Sequence, residues 1–291
     1  MSFSRRCTFV TAVLAGLGLA LVSASGFVRT QPRVTTPEMV NLRPGAFSYR
    51  VSGEFTRDGR PVMPPAATAR IERTLSIMRS QVSTSEYRRC AEAKACTAME
   101  LDTKNPDLPM VKTNFQDATA YAEWLSRETG ERWRLPSDEE WAFAAADLFN
   151  ENLLPESFDG SDPGRRALAL YDRDATRADA VEKARRPIGA FGENQNGLLD
   201  IAGNVWEWTD TCFARNALNE RGGIDAKVVN CGVRVVEGRH RTYMTDFIRD
   251  PRVGGCVGGI PPVHLGFRLV KDAVSWPRLH RLLVLAGRLS V

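Results

Sequence analysis

Histidine is scarce in this chain, with three residues, His240, His264 and His280, spread over 41 positions of a 291-residue sequence. That scatter excludes a compact histidine-rich iron or zinc site, and no His-Glu-x-x-His spacing occurs. Nucleophile elbows around serine, phosphate-binding glycine loops and dinucleotide fingerprints are also missing. A strong excess of one charge is absent as well: 39 basic against 35 acidic residues give +4, which is no nucleic-acid footprint. Internal repeats and low-complexity tracts do not occur. What remains, 43% hydrophobic and 25% charged residues, describes a globular protein long enough to bury a full core.

The apolar run 9–22 is shorter than the roughly 20 residues of a spanning helix. Arg5 and Arg6 precede it, and Ser23, Ala24, Ser25 and Gly26 follow as candidate cleavage positions. Residues 1–26 therefore read as a signal peptide or an N-terminal anchor, and the expected location is the periplasm, with Ser4-Arg5-Arg6 admitting a twin-arginine route. Cys7 would leave with a cleaved leader. Cys90, Cys96, Cys212, Cys231 and Cys256 stay, and in an oxidising compartment an odd number leaves at least one thiol over. In a continuous helix Cys90 and Cys96 would lie about 9 Å apart, too far to join. A disulfide there requires the helix to stop near Ala93-Lys94-Ala95; the alternative is two free thiols.

Prolines and glycines punctuate 27–70 as short strands and turns, among them a strand over 47–55. Ser83 with Glu86, and Ser137 with Glu140, form capping boxes that open helices over 83–93 and 137–147. Between them 117–129 is helical, with Ala118, Tyr121, Ala122 and Leu125 on one face and Gly130 at the stop. Asp138, Glu139 and Glu140 read as charge complementing the helix dipole rather than as catalytic acids. Residues 159–164 read as loop, and Asp172, Asp174 and Asp179 as solvated surface or a second cation site. One or two short strands are expected over 227–236, a loop holding Cys256 over 249–259, and a closing core strand over 265–270. The tail 273–291 is basic and amphipathic, fit for a membrane surface, a partner or its own domain.

The most distinctive run is Gly203-Asn204-Val205-Trp206-Glu207-Trp208-Thr209-Asp210, which puts two tryptophans, an amide and a carboxylate close together. Rings of that size are expected to be buried, and a buried Glu207 or Asn204 needs partners. Two oxygen donors three residues apart suit calcium, and a hydrogen-bonded structural turn is the alternative. With the preceding stretch from Asn196, with 134–145 and with 265–270, this run resembles the formylglycine-generating, sulfatase-modifying-factor family, over roughly residues 38 to 271. The resemblance implies an α+β, C-type-lectin-like fold with little regular secondary structure, a domain over 27–272, and structural calcium held by the Asn204 and Glu207 side chains and the Val205 carbonyl.

Oxygen-dependent members of that family bind copper(I) through two cysteines five positions apart after an Arg-Gly-Gly-Ser turn, soft thiolates being what that ion prefers. The matching stretch here is 237–248, where the two cysteine positions hold Tyr243 and Ile248, and Glu237, Arg239 and His240 replace the arginine, second glycine and serine. Copper of the usual kind is not expected, and Met244 beside His240 makes only a thin soft-ligand pair. Cys212, Cys231 and Cys256 allow three pairings, each leaving one thiol, inert or redox-active near Arg234, Arg239, His240 and Arg241. Catalytic candidates are thus Cys231, Cys256 and His240, while Glu237, His240, Tyr243, Asp246 and Arg249 are expected to line a polar cleft. Three functions fit. One is an exported accessory factor maturing a periplasmic protein or a peptide-like metabolite, as family members do beside copper nitrite reductases and in siderophore maturation. Another is an oxidase with a rearranged thiol site, and the third a lectin-like binding module without chemistry.

Overall fold

A computed structural model describes residues 34–99, 104–149, 165, 168–169, 172, 185–250 and 264–272. The expected leader 1–26, the tail 273–291, the expected loop over 159–164, Asp174, Asp179 and Cys256 lie outside the described residues.

Helices α1, α2 and α3 each begin where a side chain satisfies the orphan amides of the first turn. Helix α1 (Thr84–Glu92) has the capping box between Ser83 and Glu86, and α3 (Asp138–Ala145) the one between Ser137 and Glu140. Helix α2 (Phe115–Thr129) starts two residues before the expected 117, because Asn114 caps it and Asp117 reaches back to the Asn114 amide. Gly130 ends it at φ 68°, a left-handed conformation glycine adopts without cost. Helix α3 is shorter than expected: Ala146, at φ 52°, breaks it and a single 3-10 turn follows over Ala146–Leu148.

Among the described residues the strands form three sheets. Strands β1 (Met39–Leu42), β6 (Leu75–Met78), β12 (Val270–Lys271) and β7 (Trp133–Arg134) make an antiparallel sheet in that order. Strands β2 (Gly45–Arg50) and β5 (Ala66–Ile71) form a separate ribbon. The largest sheet runs β10 (Thr242–Thr245), β9 (Ile224–Glu237), β8 (Trp206–Leu218), β3 (Glu54–Arg57), β4 (Arg60–Val62), with β11 (Leu265–Gly266) beside β8. Both β3 and β11 run parallel to β8, so the chain's two ends of this sheet meet on one central strand.

Four expectations about strands change. The strand expected over 47–55 divides into β2 and β3, which belong to different sheets with residues 51–53 between them. From Trp206 on, the tryptophan run is the opening of a 13-residue strand rather than part of a turn. Being central, that strand is buried on both faces: Trp206 and Trp208 enter one core with Tyr87, Tyr121, Trp124 and Phe267, while Glu207 points to the other side, where Trp141 lies. The region 227–236 belongs to one 14-residue strand that pairs with β8 through several register shifts. Residues 265–270 split between two sheets, because Arg268 between β11 and β12 turns fully into the core. Gly266 permits the crossing, since a Cβ there would strike the Met110 carbonyl oxygen. Among the described residues no helix is long and apolar enough to cross a membrane.

Candidate functional site

Four donors surround the fully buried carboxylate of Glu207. Arg268 gives Nε to Oε2 at 2.6 Å and Nη2 to Oε1 at 2.8 Å, Gln81 Nε2 donates to Oε1 at 2.8 Å, and Trp141 Nε1 to Oε2 at 2.8 Å. The remaining Arg268 donors go to the carbonyls of Met78, Arg79 and Leu199. Asn204, at φ 57°, spends its side-chain amide on the backbone of Arg186 instead. The expected calcium set of Asn204, Glu207 and the Val205 carbonyl therefore does not fit this geometry. A carboxylate already neutralised by a bidentate guanidinium, with each oxygen accepting twice, has neither charge nor lone pairs left for a cation. The Glu207–Arg268 pair is an internal clamp between β8 and the β11–β12 connection.

Among the described residues the four cysteines form two disulfides. Cys90 joins Cys96 with Cα atoms 5.3 Å apart, α1 having stopped at Glu92 with its cap at Ala93. Cys212 on β8 joins Cys231 on β9, so the three-thiol site considered for Cys212, Cys231 and Cys256 does not form with these two as free ligands. Arg234 lies against this second disulfide, with Nη1 3.3 Å from Cys212 Sγ.

The residues expected to share one polar cleft go to separate places. Tyr243 accepts the Gly53 amide proton at 2.8 Å and packs edge-on against Phe213 at 4.9 Å; burial pushes its hydroxyl up to about 12. His240 is buried against the Trp206 ring, and Met244 lies in the aromatic core, so the pair offers no accessible soft-ligand site. Asp246 takes a bond from Gln116, and Arg249 clamps Asp117 at the start of α2 with two bonds of 2.7 and 2.9 Å. Ile248 packs on the core, and Phe247 stands out at 65% exposure.

Glu237 instead belongs to a buried group that the sequence did not announce. Arg241 Nε donates to Glu237 Oε1 at 2.8 Å and to Asp138 Oδ1 at 3.2 Å, and Nη1 donates to the Arg50 carbonyl at 2.8 Å. Tyr49 donates its hydroxyl to Asp138 Oδ2, and the Arg241 guanidinium stands 4.9 Å from the Tyr49 ring centre and 5.3 Å from that of Phe149. Asp138 is placed by its own amide, which donates to Thr211 on β8. Two carboxyl groups facing one cation cannot both ionise cheaply in a buried site. Burial pushes Glu237 well above the usual carboxylate range, Arg241 opposing and the neighbouring Asp138 reinforcing; although burial acts upward on Asp138 too, Arg241 and its hydrogen bonds hold that group below its ordinary value. Of the two carboxyl groups, Glu237 is therefore the more readily protonated.

A pH dependence follows from the raised Glu237. Its contribution to stability is complete below its ordinary value of 4.5 and is lost as pH rises through its folded value. Asp138 acts in the other window, its contribution being lost as pH falls below 3.8 through its depressed folded value. Replacing Glu237 by glutamine keeps a donor for Asp138 and an acceptor for Arg241 and removes the first effect. Urea unfolding of Glu237→Gln at pH 5 and pH 8 should show the variant gaining stability relative to the parent at the higher pH; an unchanged difference would mean that Glu237 is ionised throughout.

An open cleft of about 650 Å³ lies beside this cluster, walled by Phe47, Phe143 and Phe149 and edged by Ser48, Gln195 and Asn196. Its Phe149 wall is the ring that faces Arg241. The sequence had flagged Glu237 as a substitution at the copper turn, but Tyr49 and Asp138 were missed. The available signal was Glu237 and Arg241 entering one short turn directly after the buried Val235 and Val236.

The family described as sulfatase-modifying factor enzyme 1-like domain matches residues 24–273. The chain is 27% identical over 178 residues to the formylglycine-generating enzyme of Streptomyces coelicolor, covering 59% of this chain and 55% of that protein. It is 37% identical over 109 residues to the enzyme of that name from Mycobacterium tuberculosis, covering 36% and 34%. It is 34% identical over 111 residues to the inactive C-alpha-formylglycine-generating enzyme 2 of Mus musculus, covering 37% and 33%. The chain therefore spans about half the length of the first relative and about a third of the others. Among solved structures, PvdO from Pseudomonas aeruginosa superposes with a TM-score of 0.50 at 20% identity, over 81% of this chain and 94% of that one, which agrees with the α+β, C-type-lectin-like class.

Proposed function

We propose, from the premise that the chain belongs to the sulfatase-modifying factor family, that it is a divergent member which has kept the fold and given up copper-dependent cysteine oxidation. In this reading it is an exported accessory factor in the maturation of another periplasmic protein or of a peptide-like metabolite. The observation that carries the reading is the occupancy of the two copper-ligand positions. Tyr243 has its hydroxyl bonded to the Gly53 amide, and Ile248 packs its side chain on the core. Neither offers the thiolate that copper(I) prefers, so the donor set does not fit that metal. The similarity to a relative named inactive supports the same reading.

In place of oxidase chemistry the chain offers a recognition surface. The open cleft beside Phe149 brings the Phe47, Phe143 and Phe149 rings together with Gln195 at its edge, where that amide could bond a peptide group; the Asn196 amide is already spent on the Ala144 carbonyl. Comparing exported proteins and peptide-like metabolites by mass spectrometry, with the gene deleted and restored, tests the role. The expected result is one product that stays immature without the gene and is completed when it returns. An unchanged set of products would contradict an accessory role.

A further inference from the structure

The Cys212–Cys231 disulfide differs from its companion in both access and surroundings. Cys90 and Cys96 are enclosed in the aromatic core with Tyr87 and Tyr121. Cys231 instead lies in the exposed part of β9, at an irregularity in its pairing with β8 where the Gly232 amide donates to the Asn230 side chain, and its partner Cys212 is half-buried. Beside Cys212 sits Arg234, whose guanidinium is fixed from three sides. Nη1 donates to the Asp210 carbonyl at 2.6 Å, the guanidinium carbon lies 3.9 Å from the centre of the Phe115 ring, and Nη1 is 3.3 Å from Cys212 Sγ.

A cation held at that distance does little for a neutral disulfide sulfur. It does much for a thiolate, because a charge-assisted hydrogen bond to sulfur stabilises only the ionised form. The contact is also one-sided, falling on Cys212 and leaving Cys231 open to solvent. That division separates a sulfur that can be approached from a sulfur that can leave.

We infer that Cys212–Cys231 is a thiol–disulfide exchange site acting on an accessible dithiol of an exported protein or peptide, with Cys231 as the sulfur attacked and Cys212 as the leaving thiolate. This goes beyond the accessory role, which requires no redox chemistry. A substrate thiolate attacks Cys231 Sγ; the new S–S bond forms as the Cys212–Cys231 bond breaks, and the bonding pair departs with Cys212 as a thiolate facing Arg234. The second thiolate of the substrate then attacks its own sulfur in the mixed disulfide and releases Cys231, which takes a proton from solvent. The substrate dithiol loses two electrons and two protons and becomes a disulfide, and the protein's pair becomes a dithiol. Run in reverse, the reduced pair opens a substrate disulfide with the same balance.

The test equilibrates the full chain anaerobically in a series of reduced and oxidised glutathione, quenches by alkylation and maps the peptides. Cys212 and Cys231 should open in buffers that leave Cys90–Cys96 closed, and the trapped glutathione adduct should sit on Cys231. Adduct on Cys212, or both disulfides opening together, overturns the assignment. A second arm frees Cys212 from its partner in Cys231→Ala and follows alkylation of the Cys212 peptide against pH, apart from the other cysteines. The Cys212 ionisation should fall below the ordinary thiol value of about 8.5 and rise by about one unit when Arg234→Met is added. Ionisation at the ordinary value, unmoved by Arg234→Met, contradicts the role given to Arg234. Should Arg234→Met not fold, the Cys212 titration and the position of the adduct decide on their own.

Discussion

Replacing Arg268 by methionine should cost about 3–5 kcal/mol of folding stability, because it strands the Glu207 carboxylate in a core with no cation to neutralise it. Glu207→Ala should cost a similar amount from the other side, leaving the guanidinium buried against the carbonyls of Met78, Arg79 and Leu199. Denaturant midpoints measure both losses. The same titrations with and without a calcium chelator separate this clamp from a metal site: the loss on Glu207→Ala should be the same in both. A loss that disappears when chelator is present would show that Glu207 serves a cation instead. Double replacement with apolar residues of similar volume should recover part of the cost, since the penalty of the single variants is the unpaired charge more than the lost attraction.

Arg241→Met is the second large effect expected, again about 3–5 kcal/mol, for the same reason applied to a different pair of elements. Arg241 joins the turn after β9 to Asp138 at the start of α3 and to the end of β2 through the Arg50 carbonyl. Without it Asp138 stays buried with only neutral donors. Adding Asp138→Asn to Arg241→Met should restore a part of the loss, and a strictly additive double variant would show that the two side chains do not act as a unit. The larger part of the penalty should appear near neutral pH, where the unpaired Asp138 would be most strongly charged.

Much of the local structure was written in short stretches of sequence. The capping boxes of α1 and α3, the Gly130 stop of α2 and the break in α1 that lets Cys90 reach Cys96 all depend on residues within one or two turns of each other. The three motif blocks identified the fold because they are its central strand, its third helix and its closing crossover. What escaped were pairings between distant residues. Arg268 meets Glu207 across 61 positions and Arg241 meets Asp138 across 103, and no local pattern carries that information. Asp138 shows the problem well: as the first residue of a helix followed by two more acids it reads as dipole charge, and Glu140 does serve that way, capping Ser137 and pairing with Arg134. Only the packing of β2 and the β9 turn against that helix gives Asp138 a different task. Asn204 and Glu207 read as joint ligands because they are close in sequence, yet the start of β8 turns one outward to Arg186 and the other into the core.

The copper-free reading likewise rests on where side chains go. A tyrosine at a ligand position could have been a loose replacement in an open site. Its hydroxyl is instead bonded to the Gly53 amide and its ring set against Phe213, so the position is filled and tied to the sheet. Ile248 does the same by packing on the core. The fold common to the family supports a site here without supplying its chemistry.

The most direct measurement of that claim incubates the purified protein with copper(I), oxygen, a reductant and a cysteine-containing peptide, and looks for an aldehyde in the peptide by mass spectrometry after trapping with a hydrazine. Unchanged peptide thiol, beside an active formylglycine-generating relative as control, is the result expected of a chain with Tyr243 and Ile248 at the ligand positions. Aldehyde formed at a rate that depends on copper(I) would contradict it.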